Sequence, residues 1–126
     1  MQENNDRARH EATWANYTAS WRSDTPEARQ AIFRQALAPE CVYTDPLAVA
    51  NGWAELLTYM EHFNQQFPGA GFETTRFFAH RGRSVAQWNM VAADGTVLSD
   101  GTSYAEYDDA GRLVTMTGFY DVPDGS

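Results

Sequence analysis

Asp45 is the residue around which chemistry can be built. It stands in the stretch ECVYTDPLAVA, between a β-branched run and a proline, with Asn51-Gly52 directly behind. Two readings fit. Asp-Pro followed by Asn-Gly is ordinary loop punctuation, and an aspartate there starts a turn. A carboxylate beside apolar Pro46 and Leu47 can instead face a cavity and act as a general base. Alternation along the strand places Cys41, Tyr43 and Asp45 on one side and Val42 and Thr44 on the other. A second candidate is Tyr17. His10, Trp14, Tyr17 and Trp21 follow one another at steps of four, three and four, a single stripe of a helix. Tyr17 is either a core tyrosine with a satisfied hydroxyl or a donor that polarises a carbonyl and stabilises an enolate.

Other chemistries are excluded by what the chain lacks. All nine basic residues are Arg, so no lysine can form a Schiff base. The three histidines are dispersed, and none pairs with another at metal-ligand spacing. His10 belongs to the helical stripe. His62 follows Glu61 off an apolar face and reads as solvated. His80 ends a strand at Arg81-Gly82 and reads as a rim residue. The lone Cys41 makes neither an internal disulfide nor a zinc cluster. There is no Gly-x-Ser-x-Gly elbow and no phosphate loop. The expectation is therefore a site with no metal and no cofactor. A net charge of −8 speaks against nucleic acid and anionic membrane surfaces as partners. The N-terminal MQENNDRARHEA has no apolar signal core, and no apolar run reaches membrane-span length. These features set the expectation of a reducing, cytoplasmic setting.

The elements that must hold such a site are legible in the periodicity. A chain of 126 residues, 13% of them aromatic, suits one domain with a single core. A first helix follows polar residues 1–6, which are expected to fray, as are 123–126. Asp24 or Thr25 can cap a second helix, with Pro26 at its first position and Glu27 near its positive end. That helix runs to about Leu37, burying Ile32, Phe33 and Leu37, and Ala38-Pro39 ends it. Residues 41–44 form a short extended segment. Asn51-Gly52 opens a third helix whose face is Trp53, Leu56, Leu57, Met60, Phe63 and Phe67, stopped by Pro68-Gly69. The period then changes to two, predicting strands near 72–80, 84–93, 97–107 and 112–121. The breaks are Arg81-Gly82, Asp94-Gly95 and 108–111. The pattern is α+β: three N-terminal helices packed on a strongly curved, mainly antiparallel sheet, a cone-shaped roll that encloses a pocket.

The motifs ECVYTDP, NGW at a helix start, QFPGAGF, QWNMVAADG and DGTSYAEYDDAGRLVTMTGFYD, in this order, resemble the nuclear transport factor 2-like superfamily in its SnoaL-like branch. The resemblance covers roughly residues 10–122 and includes ketosteroid isomerases and polyketide cyclases among relatives. It implies Asp45 as the proton-shuttling base, with Tyr17, or Trp21 in its place, as the oxyanion donor. Ser103 falls where ketosteroid isomerases keep a second, acidic donor. Small residues at 101, 105 and 118 would leave room for a ligand. Trp14 and Trp21, Met60 and Phe63, His80, Trp88 and Met90, and Met116, Gly118 and Tyr120 would shape the binding pocket. The implied function is a cofactor-independent isomerase, cyclase or dehydratase acting on a small apolar carbonyl compound such as a steroid or polyketide. The alternative is a non-catalytic binding or dimerisation module. The resemblance also implies a homodimer through the outer sheet face, where Arg76 alternates with Thr and Phe.

Overall fold

Thr25 begins the second helix as its type predicts. Its hydroxyl accepts a hydrogen bond from the Ala28 backbone N–H at 3.1 Å, Pro26 follows, and Glu27 lies in the first turn. The computed structural model describes residues 2–23 and 25–122, with side chains described from Arg7 onward. The other cap candidate, Asp24, and the tail 123–126 lie outside the described residues. The chain runs α1 (Gln2–Ser20), α2 (Pro26–Ala36), β1 (Leu37–Asp45), β2 (Ala48–Asn51), α3 (Gly52–Gln66), β3 (Gly71–His80), β4 (Arg83–Val91), β5 (Val97–Tyr107) and β6 (Leu113–Phe119). Thus α1 starts at Gln2, upstream of the expected start. Pro39 does not terminate a helix but sits inside β1, which runs on directly from α2.

The sheet order is β2-β1-β6-β5-β4-β3. Every pairing is antiparallel except β1 with β6, which is parallel. The β3–β4 hairpin turns at Arg81 (φ 50°) and Gly82 (φ 75°), the two left-handed residues that a tight two-residue turn requires. Irregularities in register interrupt β3 between Thr74 and Arg76 and the β5–β6 ladder at Val114. Such bulges bend and twist a strand, and here the six strands form a curved, unclosed sheet with the helices across one face.

The core fills one part of that concavity. Phe33, Leu37, Leu56, Met60, Leu113 and Met116 are essentially inaccessible. Two polar ties fix the end of α1 over the sheet. Arg29 Nε donates to the Ser20 carbonyl at 3.0 Å and its guanidinium also reaches the Ser23 carbonyl. Asn64 of α3 donates to the Trp21 carbonyl at 2.8 Å. Trp21 is thereby held between α1, α3 and the sheet. On the opposite sheet face, Arg76 lies 4.7 Å over the exposed ring of Phe78, a stacked cation on a half-apolar exterior.

Candidate active site: a carboxylate and its tyrosines at the end of a cavity

The two oxygens of the Asp45 carboxylate have separate partners. One carboxylate oxygen, Oδ1, accepts from the backbone N–H groups of Leu47 and Ala48 at 2.8 and 2.9 Å, closing the β1–β2 turn. The other, Oδ2, accepts from the hydroxyls of Tyr43 and Tyr59, each at 2.7 Å. Tyr43 arrives by strand alternation, two residues earlier on the same side. Tyr59 arrives from α3, on the face shared with Leu56 and Phe63. The Tyr120 hydroxyl joins the group beside Asp45 and Tyr59.

Burial, reinforced by the Asp45 charge, holds the phenols in their protonated form. Tyr43 and Tyr59 are driven well above the ordinary tyrosine range, burial being the largest cause for each. For Tyr120, burial and the Asp45 charge push the value up to about 12. The three hydroxyls therefore remain hydrogen-bond donors at any ordinary pH. Tyr17 is pushed upward too, by burial, against the opposing effect of a hydrogen bond with Trp21.

Gly118 marks the point where these groups converge with Ser103. A side-chain carbon there would lie 3.7 Å from Ser103 Oγ, 3.8 Å from Asp45 Cβ and 3.9 Å from the Tyr43 hydroxyl. Ser103 accepts a hydrogen bond from Trp88 Nε1 at 3.0 Å. The indole offers only a donor, so the serine O–H remains able to donate. Trp88 takes this position because Gly101 has no side chain: a carbon there would stand 2.4 Å from the indole ring.

Beside these groups lies a cavity of about 460 Å³, in the size range of small-molecule sites. Of the expected residues, Trp14, Tyr17, Trp21, Phe63, Trp88, Met90, Ser103, Gly118 and Tyr120 line it. The Asp45 carboxylate is set back behind Tyr43 and Tyr59, which do line it. Three expectations are corrected. Met60 is fully buried, its sulfur 3.6 Å from Ser20 Oγ, and packs under α1 instead of lining the space. Met116 is fully buried opposite Ala105, one row away from the hollow. His80 is exposed, because the irregularity after Thr74 reverses the strand's alternation: Phe77 and Ala79 turn inward, Phe78 and His80 outward. The small residues also divide. Ala105 is part of the packed core, the space over Gly101 belongs to Trp88, and only Gly118 borders the cavity.

Sequence reasoning placed Tyr43 on the correct side but gave it no role, and it missed Tyr59, Phe72 and the mouth position of His62. Tyr59 was detectable: it is three residues after Leu56 and four before Phe63, on one helical face. Among the described residues, no three His, Cys, Asp or Glu side chains gather as metal ligands, and no helix is long and apolar enough to cross a membrane.

The profile of the SnoaL-like domain matches residues 10–126. The chain belongs to the SnoaL-like family. A protein of that family from Agrobacterium tumefaciens, described as a candidate isomerase, superposes with a TM-score of 0.83 at 27% identity, over 91% of this chain and 99% of the other. TerC, crystallised with polyporic acid, superposes at 0.71 and 15% identity, over 90% of this chain and 92% of the other. A protein of ketosteroid isomerase-like fold from Catenulispora acidiphila, in complex with trimethylamine, gives 0.71 and 10% identity, over 87% and 85%. At such identities the last two show a shared fold. No protein with a curated description matches this sequence. The SnoaL-like domain thus has the expected architecture, and its relatives point toward isomerase or cyclase-type activity.

Proposed function

We propose that this SnoaL-like domain is a cofactor-independent acid–base catalyst of the isomerase, cyclase or dehydratase type, acting on a small, largely apolar carbonyl compound. One observation carries the reading: Asp45 Oδ2 is held 2.7 Å from each of two tyrosine hydroxyls at the polar end of an aromatic cavity. Since Tyr59 donates to Asp45, its oxygen accepts: one lone pair faces the Tyr120 hydroxyl and the other is left for a guest. A proton leaving the carbon next to the carbonyl passes to the Tyr59 oxygen as the tyrosine's own proton passes to Asp45. The C–H electron pair moves into the carbonyl to give an enolate, whose oxygen accepts from Tyr17 or from the Ser103 O–H. Return of the proton to a second carbon completes an isomerisation. The protonated state of the phenols leaves Asp45 as the proton store and the tyrosines as its relay.

The test needs no natural substrate. Deuterium exchange at the α-carbon of 2-tetralone, followed by NMR, reports proton abstraction directly. The chain is expected to accelerate it, and Asp45→Asn to remove roughly 10²–10⁴-fold of that acceleration. Tyr59→Phe should lower it while leaving ketone affinity intact. Undiminished exchange in Asp45→Asn would sink the mechanism.

A binding module is the second reading, favoured by the four hydrogen bonds that already occupy the Asp45 carboxylate and by its place behind the cavity wall. Relatives crystallised with polyporic acid and with trimethylamine support a small organic guest under either reading. Exposed Phe78 and Phe119 support a homodimer through the outer sheet face. Sedimentation checks this: Phe119→Glu should give a monomer, and a wild-type chain that sediments as a monomer would refute it.

A further inference from the structure

We propose that the guest of this cavity carries a cationic nitrogen, as a protonated or quaternary amine. This rests on the reading of the cavity as a small-molecule site with Asp45 at its polar end, but not on any proton being moved there.

The sign of the surroundings is the first observation. The ionisable side chains lining the cavity are four tyrosines, His62 and Asp121. None of the nine arginines lines it, and the chain has no lysine. Asp45 lies just behind Tyr43 and Tyr59, whose hydroxyl protons point at it. What those tyrosines leave for the guest is the lone-pair side of each oxygen. A carboxylate or phosphate on a guest would meet no guanidinium on the cavity wall; Arg22 borders an adjoining hollow on the other side of Thr18 and Phe72. A net charge of −8 adds to the same field and raises the local concentration of cations.

The rings are the second observation. Around buried Trp21 stand Tyr43, Tyr59, Phe63 and Phe72, with ring centroids 5.4–6.0 Å from it. Those four are only partly buried, so part of each ring is left toward the hollow. An aromatic face is the negative end of a quadrupole, and a desolvated ammonium within about 6 Å of it is attracted. A neutral, flat guest would account for the rings alone. It would not account for aromatic walls that hold a carboxylate and exclude every guanidinium.

Three probes of matched size separate these cases: phenyltrimethylammonium, its neutral isostere tert-butylbenzene, and benzenesulfonate. Their affinities are read by quenching of tryptophan fluorescence at pH 8. The ammonium is expected to bind at least about tenfold more tightly than tert-butylbenzene, with benzenesulfonate weakest. Asp45→Asn should reduce that preference severalfold. Because Asp45 also closes a turn, Phe72→Leu is the second variant: it keeps an apolar wall, and should weaken the ammonium while sparing tert-butylbenzene. Equal binding of the two isosteres, tighter binding of the neutral or anionic probe, or no binding of the ammonium overturns the proposal. The readout is separate from ketone exchange. A chain that selects the ammonium without exchanging protons loses the catalytic reading and keeps this one; the reverse result does the opposite.

Discussion

The same three strands build a solid interior and a hollow one, a single row apart. Ser84, Ala105 and Met116 are neighbours across β4, β5 and β6, as are Ala86, Ser103 and Gly118 in the next row. Over the first row the helices close down, and Met116, Leu113, Phe33 and Leu56 are sealed from solvent. Beside the second row the space stays open, bordered by Ser103 and Gly118. The difference is one of side-chain volume on a continuous backbone. Methionine ends one row where glycine ends the other, and the glycine leaves the Asp45, Tyr43 and Ser103 groups facing a common point. A close-packed interior tolerates few voids, so a hollow bounded this way is specified by the residues around it.

Breaking the solid side should have the largest effect on stability. Leu113→Ala deletes a fully buried side chain and should cost about 2–5 kcal/mol in urea unfolding, with ligand affinity retained by the folded fraction. Next is Gly101→Ala, where the new carbon must displace the Trp88 ring. Overpacking of this kind costs about 1–3 kcal/mol, and loss of the indole bond to Ser103 should appear as a shift in tryptophan emission. Alkaline titration sharpens the contrast further. Burial, aided by the Glu40 charge, raises the Cys41 thiol on the solid side from 9.0 to about 11. Tyr120 on the hollow side is raised from 10.0 to about 12. In both, the folded state holds the proton more tightly. The stabilisation is complete below the unfolded value and is lost as pH rises through the folded one. Circular dichroism should show unfolding begin between pH 9.0 and about 11, and Cys41→Ala should delay it. The smallest change in stability belongs to Gly118→Leu, whose first carbon meets only ordinary contacts, yet it should weaken probe binding severalfold by intruding on the hollow beside Ser103 and Tyr43. Retained affinity in that variant would mean that the cavity is not the binding site.

Much of this was legible because local chemistry and global fold agree. Thr25-Pro26, the Arg81-Gly82 turn and the change from period 3.6 to period two each act where they stand. The aspartate before Pro46 was legible as a turn, and alternation along β1 put Tyr43 on its side, where that hydroxyl meets it. His80 was misplaced because one irregularity in β3 reverses alternation, and no residue type near Thr74 announces it. Met60 and Met116 were misassigned because an inward-facing residue can meet either side chains or space. Which it meets depends on how far the opposing helix reaches, a tertiary quantity. Tyr59 shows the converse: its face was readable, but its partner lies fourteen residues earlier, across a turn.

The one parallel pairing in the sheet joins β1 to β6, aligning Tyr43 with Met116 and Thr44 with Thr117. The aspartate and the glycine beside it are therefore brought together only when the last strand docks between two earlier ones. During synthesis the acidic group and two of its phenols, Tyr43 and Tyr59, exist long before the wall they will face. Assembly waits on a long-range closure, which slows folding relative to neighbouring hairpins. A chain cut before Leu113 would keep Tyr43, Tyr59 and the turn that holds the Asp45 carboxylate, lose Tyr120, and have no chamber to place the rest in.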